Sequence, residues 1–428
     1  MKRKEKVNPI MKLAEGVNLH LIKDKKFKTI RLLVRFREPL SSHTLAKRVI
    51  ISNLWETSNA TYPSNKAFSR RLSEMYGATF STSVEKKGRQ HFLSIHMNIV
   101  NPKFLQRETL KDAIEFIHQA IFNPYVTDGA FDVEVFEREQ SNLIHYLEAM
   151  NEDKPYYAGR QLSQLYFEDK TQALAGVSSV ELLQAETPQS VYDYYQEMLK
   201  TNAIDVIVSG DVEEQEVSAL FQEFDFENRE NKAEIFYSQP EVSKVKEKTE
   251  NKEVAQSILQ LAFSHSVPYG SDNYLALQLM NGLLGGFAHS KLFVNVREKA
   301  SLAYSASSSF DSFTGVFVIA IGIDAKNYDE ALSLTMEQVK AMQEGDFTQQ
   351  ELEDTKLMLK SGYLMSKDSQ ANLVEQAFIK SMLPEAFLEE QEFLSAVENT
   401  TKEDIVKVAQ GLILQARYFM RGQLNEEE

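Results

Sequence analysis

Eight histidines, no cysteine and an excess of acids set the chemistry open to this chain. Histidine can act as a base or a metal ligand, and the eight stand at His20, His43, His91, His96, His118, His145, His265 and His289. No two lie four residues apart, so no helical turn carries the paired imidazoles that grip a metal ion. His91 and His96 come closest, but they are five apart in a run that reads as a strand, which points them to opposite faces. His118 and His145 read as structural residues of helices, and the lone Trp55 as core packing. Without cysteine there are no disulfides, thiolate nucleophiles or cysteine-based zinc sites. No serine-based triad is suggested. Gly285-Gly286 precedes a helix as a phosphate-cradling loop would, but it lacks both the Gly-Lys-Ser/Thr ending and a preceding strand, so nucleotide binding is not expected.

The elements that would position a site come in two sets. Thr187-Pro188-Gln189-Ser190-Val191 opens a helix-patterned run leading to a strand-like segment that stops at Gly210. Thr401-Lys402-Glu403-Asp404-Ile405 does the same and ends at Gly422. Residues 72–80 are echoed by 296–304, and residues 30–36 by 257–263. Three echoes in one order, 214 to 227 residues apart, describe a duplicated chain. At 428 residues the chain also exceeds what one core usually supports. Two domains are expected, 1–228 and 253–428, joined by a linker at 229–252 where charge is dense and apolar runs are short.

Within the first half, residues 17–36 read as two strands, and 91–97 as another joined to 78–84 across Lys86-Lys87-Gly88. Leu110, Ile114, Ile117 and Ile121 fall at helical spacing up to Asn123-Pro124. Thr187 before Pro188 is an N-cap signal, and Thr400 with Glu403 offers a capping box in the second half. Each half reads as a sheet with helices packed on one face, an α+β architecture.

The formal net charge is −15, with 47 Lys and Arg against 62 Asp and Glu, and no basic stripe interleaved with aromatics offsets it. Nucleic acid is therefore not an expected partner. The start Met1-Lys2-Arg3-Lys4-Glu5-Lys6 is basic, but no apolar run of signal length follows. No segment approaches the 18 apolar residues of a membrane span. The cytoplasm is the expected location.

Residues 283–293 (Leu-Leu-Gly-Gly-Phe-Ala-His-Ser-Lys-Leu-Phe) and the following Val296-Arg297-Glu298-Lys299-Ala300-Ser301-Leu302-Ala303-Tyr304-Ser305 resemble the second-half signature of the insulinase and pitrilysin metallopeptidases, which include the mitochondrial processing peptidases. The Arg-Glu-Lys and Leu-Ala-Tyr pieces are the most specific. Leu72-Ser73-Glu74-Met75-Tyr76-Gly77-Ala78, Gly176-Val177-Ser178-Ser179-Val180 and Val208-Ser209-Gly210-Asp211-Val212 resemble first-half landmarks in order, so the likeness runs from about Val17 to Gly422. It implies two homologous α+β halves closing around a peptide-holding chamber.

The resemblance also defines what is missing. The family's chemistry uses His-x-x-Glu-His, two imidazoles holding zinc and a glutamate activating water. This chain has Ile50-Ile51-Ser52-Asn53-Leu54-Trp55 in that region, so Ile50 and Leu54 fall near the vacated ligand positions and Tyr146 near the third. No metal is expected in this chain, and zinc is expected only in a partner subunit. In the family an arginine and a tyrosine at the positions of Arg297 and Tyr304 hold substrate, a task that suits a guanidinium and a phenol because both donate to peptide carbonyls and to a developing oxyanion. An edge strand carrying Ala78, Thr79, Phe80, Ser81, Thr82 and Ser83 is expected to take extended peptide by strand addition, with the Thr82 N–H as a ladder donor. In the heterodimeric branch of the family one chain brings zinc and the other the arginine and tyrosine. The resemblance thus implies a non-catalytic subunit that orients peptide for a homologous zinc-bearing partner. The alternatives are a stand-alone peptide-binding scaffold and a peptidase working through displaced ligands.

Overall fold

The computed structural model describes residues 10–105, 107–230 and 234–423, and the basic start at Met1 to Lys6 lies outside them. Its strands are β1 (Ile10–Ala14), β2 (Val17–Lys23), β3 (Thr29–Pro39), β4 (Thr79–Lys87), β5 (Gln90–Val100), the short hairpin β6 (Val126–Thr127) and β7 (Ala130–Phe131), β8 (Ala203–Gly210), β9 (Lys246–Asn251), β10 (Ser257–Ser264), β11 (Ala303–Asp311), β12 (Val316–Ile323) and β13 (Ile413–Arg421). One sheet runs β1-β2-β8-β3-β5-β4 and a second runs β11-β12-β10-β13-β9.

The two sheets repeat one topology. β4, β5, β3 and β8 are successively antiparallel and β8 is parallel to β2. In the second sheet β11, β12, β10 and β13 are successively antiparallel and β13 is parallel to β9. Each sequence echo thus falls on corresponding elements: β3 with β10, the entry to β4 with that to β11, and a capped helix before both β8 and β13. The expected α+β class, duplicated, is the observed one.

Two details differ from the sequence reading. Lys246–Asn251, inside the charged stretch between the halves, forms β9 and corresponds to β2. Its sequence, KEKTEN, has no apolar face to reveal it, and at the sheet margin main-chain pairing to β13 suffices. The capping box of the helix Lys402–Gln410 belongs to Thr401 and Asp404, not Thr400 and Glu403, because Thr400 already caps the C-terminus of the preceding helix.

The helices include α1 (Ser42–Thr57), α2 (Asn65–Glu74), α3 (Thr109–Phe122), α4 (Val133–Met150) and α5 (Lys154–Tyr166). On the first sheet, β3 turns Phe36 toward Trp55 of α1, ring centroids 5.4 Å apart, and Phe80 of β4 packs with Phe68 and Phe116. The opposite face is covered by the helix Gln370–Met382. Its Glu375 pairs with Arg35 at 2.9 Å, and its Phe378 meets the Phe92 ring edge-on at 5.4 Å.

The second sheet has the reciprocal arrangement. Leu259, Leu261 and Phe263 of β10 join one core, while Ile258 and Ala262 pack on the other face with Ala158, Leu162 and Tyr166 of α5. Helices therefore cover both faces of each sheet rather than the one face expected from the sequence, because a single helix from the other half packs on the second face. The chain accordingly forms two compact units from interleaved segments. One contains the segments up to Glu148, Ala175–Glu234 and Ser366–Met382; the other contains Ala149–Leu174, Ile235–Met365 and the segment from Leu383.

Candidate functional site

In the first unit the candidate residues sit on the outermost strand. Among the described residues β4 pairs with β5 alone, so it is an edge strand as expected. The chain enters it through Tyr76 and Gly77, both left-handed (φ 59° and 72°), directly after the last turn of α2. Gly77 adopts this conformation without the Cβ clash that strains Tyr76. Ala78 is buried at the turn. Along the strand Thr79, Ser81 and Ser83 are exposed, while Phe80 and Thr82 face the helices. Ser83 Oγ lies 2.9 Å from His96 Nε2.

Thr82 is tied to α1 by four contacts. Its hydroxyl donates to the Ser52 carbonyl at 2.9 Å and lies 2.9 Å from the Glu56 carboxylate, and Ser52 Oγ is 2.8 Å away. Its backbone N–H donates to the same Glu56 carboxylate. The expected ladder donor is therefore already held by a side chain of the same unit, which the sequence pattern did not reveal.

The side of α1 facing this edge carries Ser52 and Glu56, two residues out of step with Ile50 and Leu54. Ile50 and Leu54 are core side chains, 0% and 4% exposed, whereas Tyr146 on α4 is 55% exposed. Two hydrocarbon side chains offer a zinc ion no lone pairs, and among the described residues no three His, Cys, Asp or Glu are grouped to hold a metal. These residues do not fit zinc.

α1 instead carries Arg48, which is fully buried and which the sequence reading passed over. Its guanidinium donates to His91 Nδ1 (2.9 Å), the Tyr194 hydroxyl (3.0 Å), the Phe36 and His91 carbonyls (2.9 and 3.2 Å) and the Asn202 side chain. Glu38 accepts from Tyr194 and Asn202 at 2.8 and 2.9 Å and lies 3.5 Å from Arg48. Because His91 Nδ1 accepts from Arg48, Nε2 carries the proton and donates to the Gly176 carbonyl at 2.9 Å. Burial, reinforced by the Arg48 charge, pushes the His91 pKa down to about 3. This network ties α1 to β3, β5 and the Gly176 loop. An arginine directly before the apolar run Val49-Ile50-Ile51 was the only available sign of it.

In the second unit Arg297 lies on the wide-turned helical segment Leu292–Lys299, where the Ala300 N–H reaches the carbonyl five residues back. Its guanidinium stands 4.5 Å over the Phe293 ring and 3.6 Å from Glu298. Tyr304 sits at a register shift between Ala303 and Ser305 at the start of edge strand β11. Such a bulge re-aims a side chain, and Tyr304 is 60% exposed. Its hydroxyl donates to Asp324 at 2.8 Å, and that bond holds the phenol pKa above its usual value. Gly285 lies so close to β11 that a Cβ would come within 2.6 Å of the Ser308 nitrogen, so close packing accounts for this glycine.

Comparison with known proteins places the chain in a family. The family described as "Peptidase M16 inactive domain" matches residues 185–359. The Bacillus subtilis protein named "Probable inactive metalloprotease YmfF" is 31% identical over 420 residues, covering 97% of this chain and 98% of that one. The crystal structure of a conserved protein from Enterococcus faecalis V583 superimposes with a TM-score of 0.94 at 41% identity, covering 98% of this chain and all of that one. An M16 inactive-domain protein from Pseudomonas fluorescens shares the fold, with a TM-score of 0.81 at 16% identity over 99% of this chain and 100% of its own. The chain belongs to the M16 family of insulinase- and pitrilysin-type peptidases, as a member without the inverted zinc motif.

Proposed function

We propose that this chain is a non-catalytic peptidase-family subunit that captures extended peptide along β4 and presents it, with Arg297 and Tyr304, to a homologous subunit that carries the zinc. The reading rests on one contrast. The helix where the family bears its metal ligands holds hydrocarbon and a locked arginine, whereas the bulge at Tyr304 keeps a phenol exposed. Arg297 is partly exposed as well. The name of the B. subtilis relative, an inactive metalloprotease, supports the same view. No described helix is long and apolar enough to cross a membrane, which is compatible with a cytoplasmic complex.

The test is to mix the chain with a zinc-bearing homologue and follow both complex formation and peptide cleavage. Tyr304→Phe deletes one donor and keeps the ring. Turnover of the mixed complex is expected to fall about 10²–10³-fold with assembly unchanged. Arg297→Lys keeps the charge but loses the planar fork, and is expected to impair turnover as well. Full cleavage by the double variant would sink this role and favour a stand-alone peptide-binding scaffold.

A further inference from the structure

Main-chain donors along a strand point alternately to its two sides, so an edge strand offers an incoming chain every second N–H. On β4 one of these donors, at Thr82 in the middle of the edge, is occupied by the carboxylate of Glu56. Glu56 lies near the C-terminal end of α1 and is only partly exposed. The single hydroxyl proton of Thr82 has two acceptors, the Ser52 carbonyl and the same carboxylate, each 2.9 Å away. An N–H···carboxylate bond is charge-assisted and stronger than the N–H···carbonyl bond of a sheet ladder. A peptide carbonyl arriving at this position therefore meets a competitor built into the chain.

We propose that Glu56 is an in-chain competitor for the peptide-docking edge. It closes the centre of β4, and peptide is captured only as one of its carbonyls displaces the carboxylate from the Thr82 N–H. The proposal rests on the reading that β4 is where peptide binds. It adds that affinity is set by a residue that need not touch the bound peptide, and that capture begins on either side of Thr82 and closes over it last.

The experiment measures binding of a fluorescein-labelled unstructured casein peptide to the full chain by anisotropy. The variants are Glu56→Ala, Glu56→Gln, Thr82→Pro and the double Glu56→Ala/Thr82→Pro, each checked for fold by circular dichroism and Trp55 fluorescence. Glu56→Ala is expected to tighten binding about tenfold, the scale of one hydrogen bond to a charged group. Glu56→Gln, an uncharged acceptor of the same length, is expected to fall between wild type and Glu56→Ala. Proline at Thr82 removes the contested N–H, so the double variant is expected to show none of the gain. Unchanged or weaker binding by folded Glu56→Ala, with Thr82→Pro still weakened, would overturn the competitor while leaving β4 as the docking edge. Equal binding by all four variants would remove peptide from β4 and overturn both claims, as would the absence of binding by any of them.

Discussion

Arg48 illustrates how much one side chain can fix. It is fully buried, it spends its donors on five groups, it is the donor to His91 Nδ1, and the Glu38 carboxylate lies 3.5 Å from it. Removing one member of a buried charged network leaves the others unsatisfied. Arg48→Met is expected to destabilise the protein by about 3–5 kcal/mol, read as a lower denaturation midpoint at constant m-value. His91 adds a pH signature. Its folded pKa of about 3 lies below the ordinary 6.5, so the unfolded chain binds the extra proton first. The stability from neutral His91 is complete above pH 6.5 and is lost as pH falls toward 3. His96 and His265, each lowered to about 4 chiefly by burial, act in the same direction. Between pH 7.5 and 5 stability is expected to decline, and His91→Asn should flatten that slope; an unaltered slope would count against the assignment. At Ile50 and Leu54 the expectation is chemical: protein purified without chelator should contain well under one equivalent of zinc, measured by metal analysis. Stoichiometric zinc would revive the reading with displaced ligands.

Among the elements, those with a strong apolar period were legible from sequence. β3 and β8 are buried on both faces and read as strands from their apolar runs, β10 showed only as the echo of residues 30–36, and Thr187 with Pro188 announced its helix. β9 was not legible, since its residues supply no face to bury. Nor were the partners of two helices. The pattern of Gln370–Met382 marks an amphipathic helix, but amphipathicity says which side is buried and not against what. Its docking on the first sheet depends on Phe378, which is fully buried against Phe92 with the Arg35 guanidinium 4.3 Å from its centre. Phe378→Ala is expected to cost about 3–5 kcal/mol and to make this helix the first site of proteolytic cutting. Cutting elsewhere first would mean that its other contacts, such as Gln370 to the Ser209 carbonyl at 2.8 Å, suffice. The candidate site was legible only in outline. The edge position of residues 78–84 was foreseen, and Tyr304 was singled out only through the family resemblance; the Glu56 bond and the Arg48 network join residues far apart in sequence and leave no local pattern.

At the scale of the molecule, α5 and Gln370–Met382 begin 216 residues apart and occupy matching places in the duplication. Each completes the unit built mainly from the other half. The units are therefore expected to unfold together. Trp55 is the chain's one tryptophan and lies in the first unit, so its fluorescence follows that unit while far-UV circular dichroism follows the whole chain. Coincident denaturation curves are expected, and separated midpoints would show that the exchanged helices do not couple the units. The same exchange has a cost in time. On the ribosome β8, which completes the strand set of the first sheet, emerges 160 residues before the helix that covers its far face begins. At roughly 5–20 residues per second, the nascent sheet waits about 8–32 seconds with that face open. α5 meanwhile presents Ala158, Leu162 and Tyr166 before its own sheet has been translated. Every newborn copy thus passes through an interval in which it is adhesive, and a message truncated upstream of codon 370 would yield a product that never leaves it.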